Sequence, residues 1–463
     1  MWSVSKGTSR KHKKHGKDIV FLPYKASAWD SMESIWRAAV TDGKHCNAYV
    51  VPIPYCEKNE DGTPREWFCE TDQFPKEVHA LDWREVDLEV MHPDIIFIHY
   101  PYDHQNFVTD LPEKYCSGQL KNVTDLLVYV DYGIPVWTPR DAESFDPSSP
   151  GATTMWVHWH ADVIVAYSRE FAGLIDRLME AACPVLGDMA YREVERKKVV
   201  ALGSAKFDKV LSVERQEVPL PEAWRRRIGG RKILLFNLSL TGLGWDTMLE
   251  DIRNVIDTVA PRDDVVLWWR PHPLVESTLR RLAPEFVDGY RDLVTEFREK
   301  GLGIYDDTAD FHRALAWSDG CLTTESSLSW LCLATGKPFT IYKKSRLRPG
   351  CKRDEGKTFR EPLLCRIANM EAGKGANLHP EHPHWNFCVW WDNFLPEDLL
   401  HNIYYENFLE RFLHFIVHPE EYPEAKAYRG LQRQIFRDFA VNPDGTAGRK
   451  IYEYCMRKKG RVP

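Results

Sequence analysis

Short apolar runs alternate with helical stretches through two long cycles of this chain, and this alternation constrains the fold more than any other feature. The first cycle contains the runs DIVFLPY, DIIFIHY, LLVYVDY and ADVIVAYS, and the second contains RKILLFNLSL, VVLWWRPHP, GCLTTESS and PFTIY. Runs such as VVLWW lack polar alternation, which is typical of strands buried on both faces of a parallel sheet. The pattern predicts an α/β fold with two domains, each built on a parallel sheet with helices between its strands.

At 463 residues the chain exceeds what one hydrophobic core usually covers. The boundary between the two cycles is predicted near residue 212, where the stretch GSAKFDKVLSVERQEVP passes from a strand end into a polar linker. Helical patterns such as LLHNIYYENFLERFLHFI close the chain. The predicted units are a basic disordered arm (1–16), an N-terminal Rossmann-like domain (17–212), a C-terminal Rossmann-like domain (213–395) and C-terminal helices (396–463).

Charge and cysteine usage exclude several classes of protein. The net charge of -7 argues against a general nucleic-acid binder. The eleven cysteines form no CxxC pair, which favours reduced thiols in a cytoplasmic protein, and no apolar run is long enough to cross a bilayer. The basic arm either touches an anionic surface at the inner face of the cell membrane or is a solvated tail.

Polar side chains cluster at the ends of the second-cycle strands, where open parallel sheets bind their ligands. A cationic pair with a hydroxyl-rich helix start can hold a diphosphate without a metal, so these residues predict a nucleotide diphosphate site. The alternative is structural, since a histidine between two prolines shapes a turn and serines cap helices. The candidate residues are Asn237, Ser239, Thr241, Arg270, His272, Asp307, Thr324, Glu325, Ser326 and Ser327.

Two first-cycle loops offer groups for a second, polar substrate. The strand end IFIHYPYDHQN carries Tyr102, Asp103 and His104, and the loop KASAWDSMES carries Trp29 and Asp30. A histidine beside a carboxylate can act as a general base near neutral pH, so Asp103 and His104 are the predicted acid–base pair. The alternative is that the loop histidines only satisfy local hydrogen bonds.

The second cycle resembles the CDP-glycerol glycerophosphotransferases, the teichoic-acid polymerase family. The resemblance implies the GT-B fold, in which two Rossmann-like, doubly wound domains face a cleft. The matching residues are His272-Pro273, Ser326-Ser327 and Lys337-Pro338, with GSAKFD (203–208) similar to the family element Gly-x-Pro-Arg-Asn-Asp. The resemblance implies that His272, Ser326 and Ser327 bind the donor diphosphate. It also implies a cytidine nucleotide donor, with the N-terminal domain receiving the acceptor.

One departure from the family pattern concerns its candidate base. Family members carry His-Gly-Thr-Pro after a first-domain strand, whereas this chain reads Tyr132-Gly133-Ile134-Pro135. Thr324 likewise stands where the family has Asp. Another residue must activate the acceptor, or the chemistry differs, or activity is lost.

The resemblance implies a transferase that moves glycerol phosphate from CDP-glycerol to a hydroxyl of a lipid-linked or polymeric cell-envelope acceptor, with no cofactor. Two alternatives stay open, a GT-B glycosyltransferase that uses a nucleotide sugar and a catalytically silent binding protein of envelope-polymer synthesis. No metal is expected, because the histidine-rich stretch HPEHPHW (379–385) completes no familiar metal spacing. The long irregular segment around it, 343–390, is typical of a lid or binding surface.

Overall fold

Fourteen strands are present in a computed structural model that describes residues 16–134, 155–237, 248–323, 326–341, 408–422 and 425–458. They are β1 (Lys17–Leu22), β2 (Cys46–Val50), β3 (Tyr55–Lys58), β4 (Pro64–Phe68), β5 (Ile95–Ile98), β6 (Thr109–Asp110), β7 (Leu126–Val130), β8 (Val163–Ala166), β9 (Val199–Ala201), β10 (Lys232–Asn237), β11 (Val265–Trp269), β12 (Ile304–Tyr305), β13 (Gly320–Thr323) and β14 (Phe339–Ile341).

The helices in these ranges surround the strands. They are α1 (Glu33–Thr41), α2 (Leu88–Met91), α3 (Ser117–Leu120), α4 (Trp156–His160), α5 (Arg169–Leu186), α6 (Asp188–Glu195), α7 (Ala205–Ser212), α8 (Glu222–Ile228), α9 (Met248–Val259), α10 (Val275–Leu282), α11 (Val287–Glu299), α12 (Phe311–Trp317), α13 (Ser327–Thr335), α14 (Phe408–Val417), α15 (Ala425–Phe439) and α16 (Ala447–Arg457). Among them, none combines the length and the apolar character that crossing a membrane requires.

Two parallel sheets form the framework. The first has the order β2-β1-β5-β7-β8-β9 and the second the order β12-β11-β10-β13-β14. Every residue of β7 and of β11 is buried, because helices cover both faces of each sheet. The predicted pair of doubly wound α/β domains is confirmed.

The polar stretch between the second and third parallel strands forms a small excursion, whose two strands make a sheet with a third strand from the loop after β5. Strands β3 and β4 pair antiparallel, and β6 joins the other edge of β3. This three-stranded sheet reaches the second domain, where Arg280 of α10 lies 2.9 Å from the Glu57 carboxylate. The excursion therefore ties the domains together at the periphery.

The C-terminal helices divide between the two domains. Helix α14 packs on the second sheet, with Phe412 against Gly320, whereas α16 returns to the first domain and packs on α1. Two amides at the start of α16 are capped by the Asp208 carboxylate, at 3.1 and 2.7 Å. Helix α15 crosses the junction, since Phe439 stacks on Trp330 of α13 and Phe436 contacts Phe207 of α7 edge-to-face.

A buried ionic cluster joins the domains at the centre. The carboxylate of Asp30, in the loop after β1, accepts hydrogen bonds from Lys206 Nζ at 2.6 and 2.7 Å and lies 2.9 Å from His312 Nε2. Burial alone would raise the pKa of Asp30, but Lys206 and His312 outweigh it and hold the pKa well below its usual range. Asp30 therefore stays charged, and it links α7 of the first domain to α12 of the second.

We expect Asp30→Asn to lower the free energy of unfolding by about 3 kcal/mol, because it leaves the Lys206 charge buried without its partner. Urea denaturation followed by circular dichroism measures the change. Asp307→Asn is the matched control, since the Asp307–Arg298 pair is exposed and its loss should barely move the midpoint. Equal midpoints for wild type and Asp30→Asn would contradict the role assigned to this cluster.

Candidate active site

A cavity of about 520 Å³ lies between the two sheets, at the carboxyl ends of their strands. Residues just after β1, β5 and β7 line it from the first domain. The last residue of β10, residues after β11 and residues at the start of α13 line it from the second. Open parallel sheets bind ligands at this edge. The cavity is therefore the candidate active site.

Half of the predicted donor-site residues line the second-domain wall of this cavity. They are Asn237, Arg270, His272, Ser326 and Ser327. Ser239, Thr241, Thr324 and Glu325 lie outside the described residues, as do segment 343–390 and the stretch HPEHPHW. Asp307 is not in the wall, because its exposed carboxylate lies 2.6 Å from Arg298.

Arg270 is fixed within the second domain. Its Nη1 lies 2.9 Å from the buried Asp306 carboxylate, and its Nη2 donates to the carbonyl of Thr308 at 2.5 Å. Asp306 also accepts the indole N–H of Trp268 at 3.0 Å. Since Asp306 balances the guanidinium charge, Arg270 is a less available cation than its position in the sequence suggests.

His272 has a defined tautomer when neutral. Its Nδ1 accepts the backbone N–H of Leu274 at 3.1 Å, so the ring proton is on Nε2. Burial, together with the nearby charge of Lys25, lowers the pKa of His272 to about 4. The sequence reasoning took His272 and Arg270 as a cationic pair, and this is corrected for His272: at neutral pH it is uncharged and offers one N–H donor from Nε2.

The two serines at the start of α13 make different contacts. Ser326 stands at the N-cap position, but its hydroxyl lies 3.2 Å from Thr323 Oγ1 and makes no capping bond to a helix amide. The hydroxyl of Ser327 accepts the N–H of Ile134 from the first domain at 2.8 Å. The predicted serine cap is therefore not formed, and the positive end of α13 faces the cavity.

The first-domain wall combines tyrosines with charged groups. Tyr24, Tyr102 and Tyr132 pack together, and the hydroxyl of Tyr132 donates to that of Tyr102 at 3.5 Å. Lys25 and Lys206 also line this wall. Burial lowers the pKa of Lys25 despite the nearby Glu70 carboxylate. Aromatic faces beside cations suit a polar, hydroxyl-bearing ligand.

Asp131 is the residue that the sequence reasoning missed. It follows the buried strand β7 and lines the cavity, and its Oδ1 accepts the N–H of Gly133 at 2.8 Å. Burial raises the pKa of Asp131 to about 6, although that hydrogen bond lowers it. A carboxylate that titrates near 6 suits a general base. Its position directly before Tyr132, where the resembled family has histidine, was the available signal.

Five residues of the first-domain loops were predicted to contact the acceptor. Asp30 and Tyr102 line the cavity, whereas Trp29, Asp103 and His104 do not. Trp29 is buried against Trp36. The Asp103 carboxylate accepts the N–H and the hydroxyl of Ser117 at 2.8 and 2.6 Å.

His104 contacts other acids than Asp103. Its ring nitrogens lie 2.7 Å from Asp110 and 2.7 Å from Glu113. The expected Asp103–His104 pair is therefore corrected, because the loop turns between the two residues, with φ +48° at Asp103, and directs their side chains to different partners.

Comparison with solved structures supports the fold. UDP-GlcNAc 2-epimerase from Neisseria meningitidis, bound to UDP-GlcNAc, has a TM-score of 0.50 and 11% identity, covering 95% of this chain and 100% of that one. The wall teichoic acid polymerase TagF, soaked with CDPG, has a TM-score of 0.48 and 13% identity over 95% of this chain and 88% of that one. A structure of MnaA from S. aureus with UDP has a TM-score of 0.47 and 16% identity over 96% and 100%.

No family model matches the chain, and the search of curated proteins finds no match. At these identities the likeness shows the fold alone. Two Rossmann-like domains facing a cleft define the GT-B fold, so the predicted fold class is confirmed.

We expect the Asp131 carboxyl to titrate near pH 6, well above an ordinary aspartate at about 3.9. Because its pKa is raised in the folded state, the ionised carboxylate costs stability, and this cost grows as pH rises from about 4 to 6 and is constant above. The stability of Asp131→Asn relative to wild type should increase over the same range. Urea denaturation of both proteins from pH 4 to 8 measures it, and a flat difference would contradict the shift.

Proposed function

We propose that this protein is a transferase that uses a nucleotide-activated donor, with CDP-glycerol the favoured donor and a hydroxyl of a lipid-linked or polymeric cell-envelope molecule the acceptor. One observation carries the proposal. The same cavity has hydrogen-bond donors suited to phosphate on its second-domain wall and, on the opposite wall, a carboxylate whose pKa is raised to about 6.

The second-domain wall suits a diphosphate. His272 offers the Nε2 proton, Ser326 and Ser327 offer hydroxyls, and the start of α13 adds the positive end of its dipole. These hydrogen-bond donors are neutral groups, so they stabilise the charged phosphate oxygens by directed hydrogen bonds. The choice of a cytidine donor rests on the His-Pro and Ser-Ser motifs, which resemble those of the CDP-glycerol glycerophosphotransferases.

The opposite wall suits an alcohol. Asp131 provides a base, and Lys25 with the tyrosine pair Tyr102 and Tyr132 provides polar contacts to an acceptor. In this assignment Asp131 takes the role of the family histidine. Tyr132 stands at the position of that histidine, and Asp131 directly precedes it. Because Asp131 can serve as a base, an active enzyme is favoured over a catalytically silent binding protein.

The reaction proceeds by in-line displacement. The acceptor hydroxyl oxygen attacks the β-phosphorus of CDP-glycerol while Asp131 accepts its proton. The bond from that phosphorus to the bridging oxygen breaks, and CMP leaves with the bond's electron pair. His272 and the α13 amides stabilise the negative charge on the departing phosphate.

A nucleotide sugar is the second candidate donor. The Neisseria epimerase with a similar fold binds UDP-GlcNAc, and the same wall groups would hold the diphosphate of either donor. In that case attack falls on the anomeric carbon, and a nucleoside diphosphate leaves. The identity of the leaving nucleotide separates the two reactions.

We expect His272→Ala to weaken CDP-glycerol binding by about 10-fold or more, because one hydrogen bond to a charged phosphate is lost. The loss should be equal at pH 6 and pH 8, since His272 is neutral above about pH 4. Isothermal titration calorimetry measures both. His45→Ala is the control, because His45 is exposed just before β2, at the amino end of the sheet. Unchanged affinity in His272→Ala would remove the donor site from this wall.

We expect Asp131→Asn to lower turnover by about 10²- to 10⁴-fold with little change in donor affinity, as loss of a general base does. Wild-type turnover should fall as pH drops through about 6, when Asp131 becomes protonated, and the variant should lack this step. Chromatography of the released nucleotide identifies CMP or a diphosphate. A variant with wild-type turnover and pH profile would place the base elsewhere.

A further inference from the structure

A compact nitrogen, oxygen and sulfur cluster lies in the loop that follows β5, outside the candidate active site. His104 Nε2 is 2.7 Å from Glu113 Oε2 and 3.3 Å from Cys116 Sγ. The three ligand atoms all lie within 4.8 Å of one another. None of these residues lines the interdomain cavity, so the cluster needs its own explanation.

We propose that His104, Glu113 and Cys116 bind a zinc ion. Imidazole nitrogen, thiolate sulfur and carboxylate oxygen are the ligands that zinc prefers in proteins. Metal–ligand distances of about 2.0 to 2.3 Å place the ligands of a tetrahedral zinc about 3.3 to 3.7 Å apart. The 3.3 Å between His104 and Cys116 already matches this spacing, and the 2.7 Å between His104 and Glu113 reaches it when the Glu113 carboxylate moves away from His104 by less than about 1 Å.

The surroundings of His104 direct its Nε2 to the ion. Asp110 Oδ1 lies 2.7 Å from Nδ1 and accepts its proton, whereas Nε2 lies 2.7 Å from the Glu113 carboxylate, so the Nε2 proton shared with Glu113 is the one that a zinc ion would displace. The Asp110 carboxylate is itself held by the N–H of Leu111 at 2.9 Å and by Lys58 at 3.1 Å. A carboxylate behind a histidine ligand is the arrangement that orients zinc-binding imidazoles.

The cluster is open on one side and anchored on the other. The side chains of His104 and Glu113 are 49% and 68% exposed, whereas Cys116 is buried. An ion can therefore enter from solvent and keep a water as its fourth ligand. Cys116 directly precedes α3, and His104 lies in the same loop as Tyr102, which lines the cavity. The ion would therefore link the start of α3 to this loop.

The test uses the full chain, stripped of metal with a chelator and titrated with Co²⁺ as a spectroscopic substitute for zinc. Wild type should show a thiolate-to-cobalt charge-transfer absorption with the visible bands of a tetrahedral ion. Cys116→Ser should lose the charge-transfer absorption, and Asp110→Asn should keep it but bind about 10- to 100-fold more weakly. Cys69→Ser is the control, because Cys69 is an exposed thiol elsewhere.

The variant comparison separates this cluster from the cysteines and histidines that lie outside the described residues. Equal spectra and stoichiometry for wild type and Cys116→Ser would overturn the proposal, as would an absence of the charge-transfer absorption in wild type. If Cys116→Ser does not fold, His104→Gln replaces it, and zinc competition then measures the affinity. An unchanged zinc affinity in His104→Gln equally overturns the site.

Discussion

The buried carboxylate of Asp30 is the contact on which the arrangement of the two domains depends. A carboxylate without solvent needs partners of opposite charge, and Asp30 takes them from α7 of its own domain and from α12 of the other. The loop that carries Asp30 also contributes to the cavity wall. The ion cluster that links the domains thus also forms part of the wall of the cavity between them.

Local pattern was sufficient to predict the two parallel sheets and the polar residues of the second-domain wall. Strands such as VVLWW are buried on both faces, so they consist almost entirely of apolar residues. This composition identifies them as central strands of a parallel sheet without a structure. Arg270, His272 and Ser327 lie at strand ends and a helix start, positions that alternation alone identifies. Their presence in one cavity follows from the parallel topology.

The charge states in the cavity could not be predicted from sequence, because they depend on tertiary contacts. His272 is neutral since the fold buries it near Lys25, and Asp131 is a weak acid since the fold withdraws it from water. Sequence reasoning instead favoured His104, whose neighbour Asp103 turns away from it to Ser117. Adjacency in the chain was a poor guide to pairing in a loop with a left-handed residue.

The hydroxyl of Ser327 has a consequence for how a ligand reaches both domains. It accepts the Ile134 N–H at 2.8 Å, while among the described residues its own proton makes a long contact of 3.4 Å to the Ile134 carbonyl. A hydroxyl both accepts and donates, so its proton can rotate to an arriving phosphate oxygen while the shorter bond stays intact. The hydroxyl can thus change the partner to which it donates without breaking its bond to the first domain. A phosphate in the proposed donor site would then be linked through Ser327 to the Ile134 backbone while the two domains stay in contact.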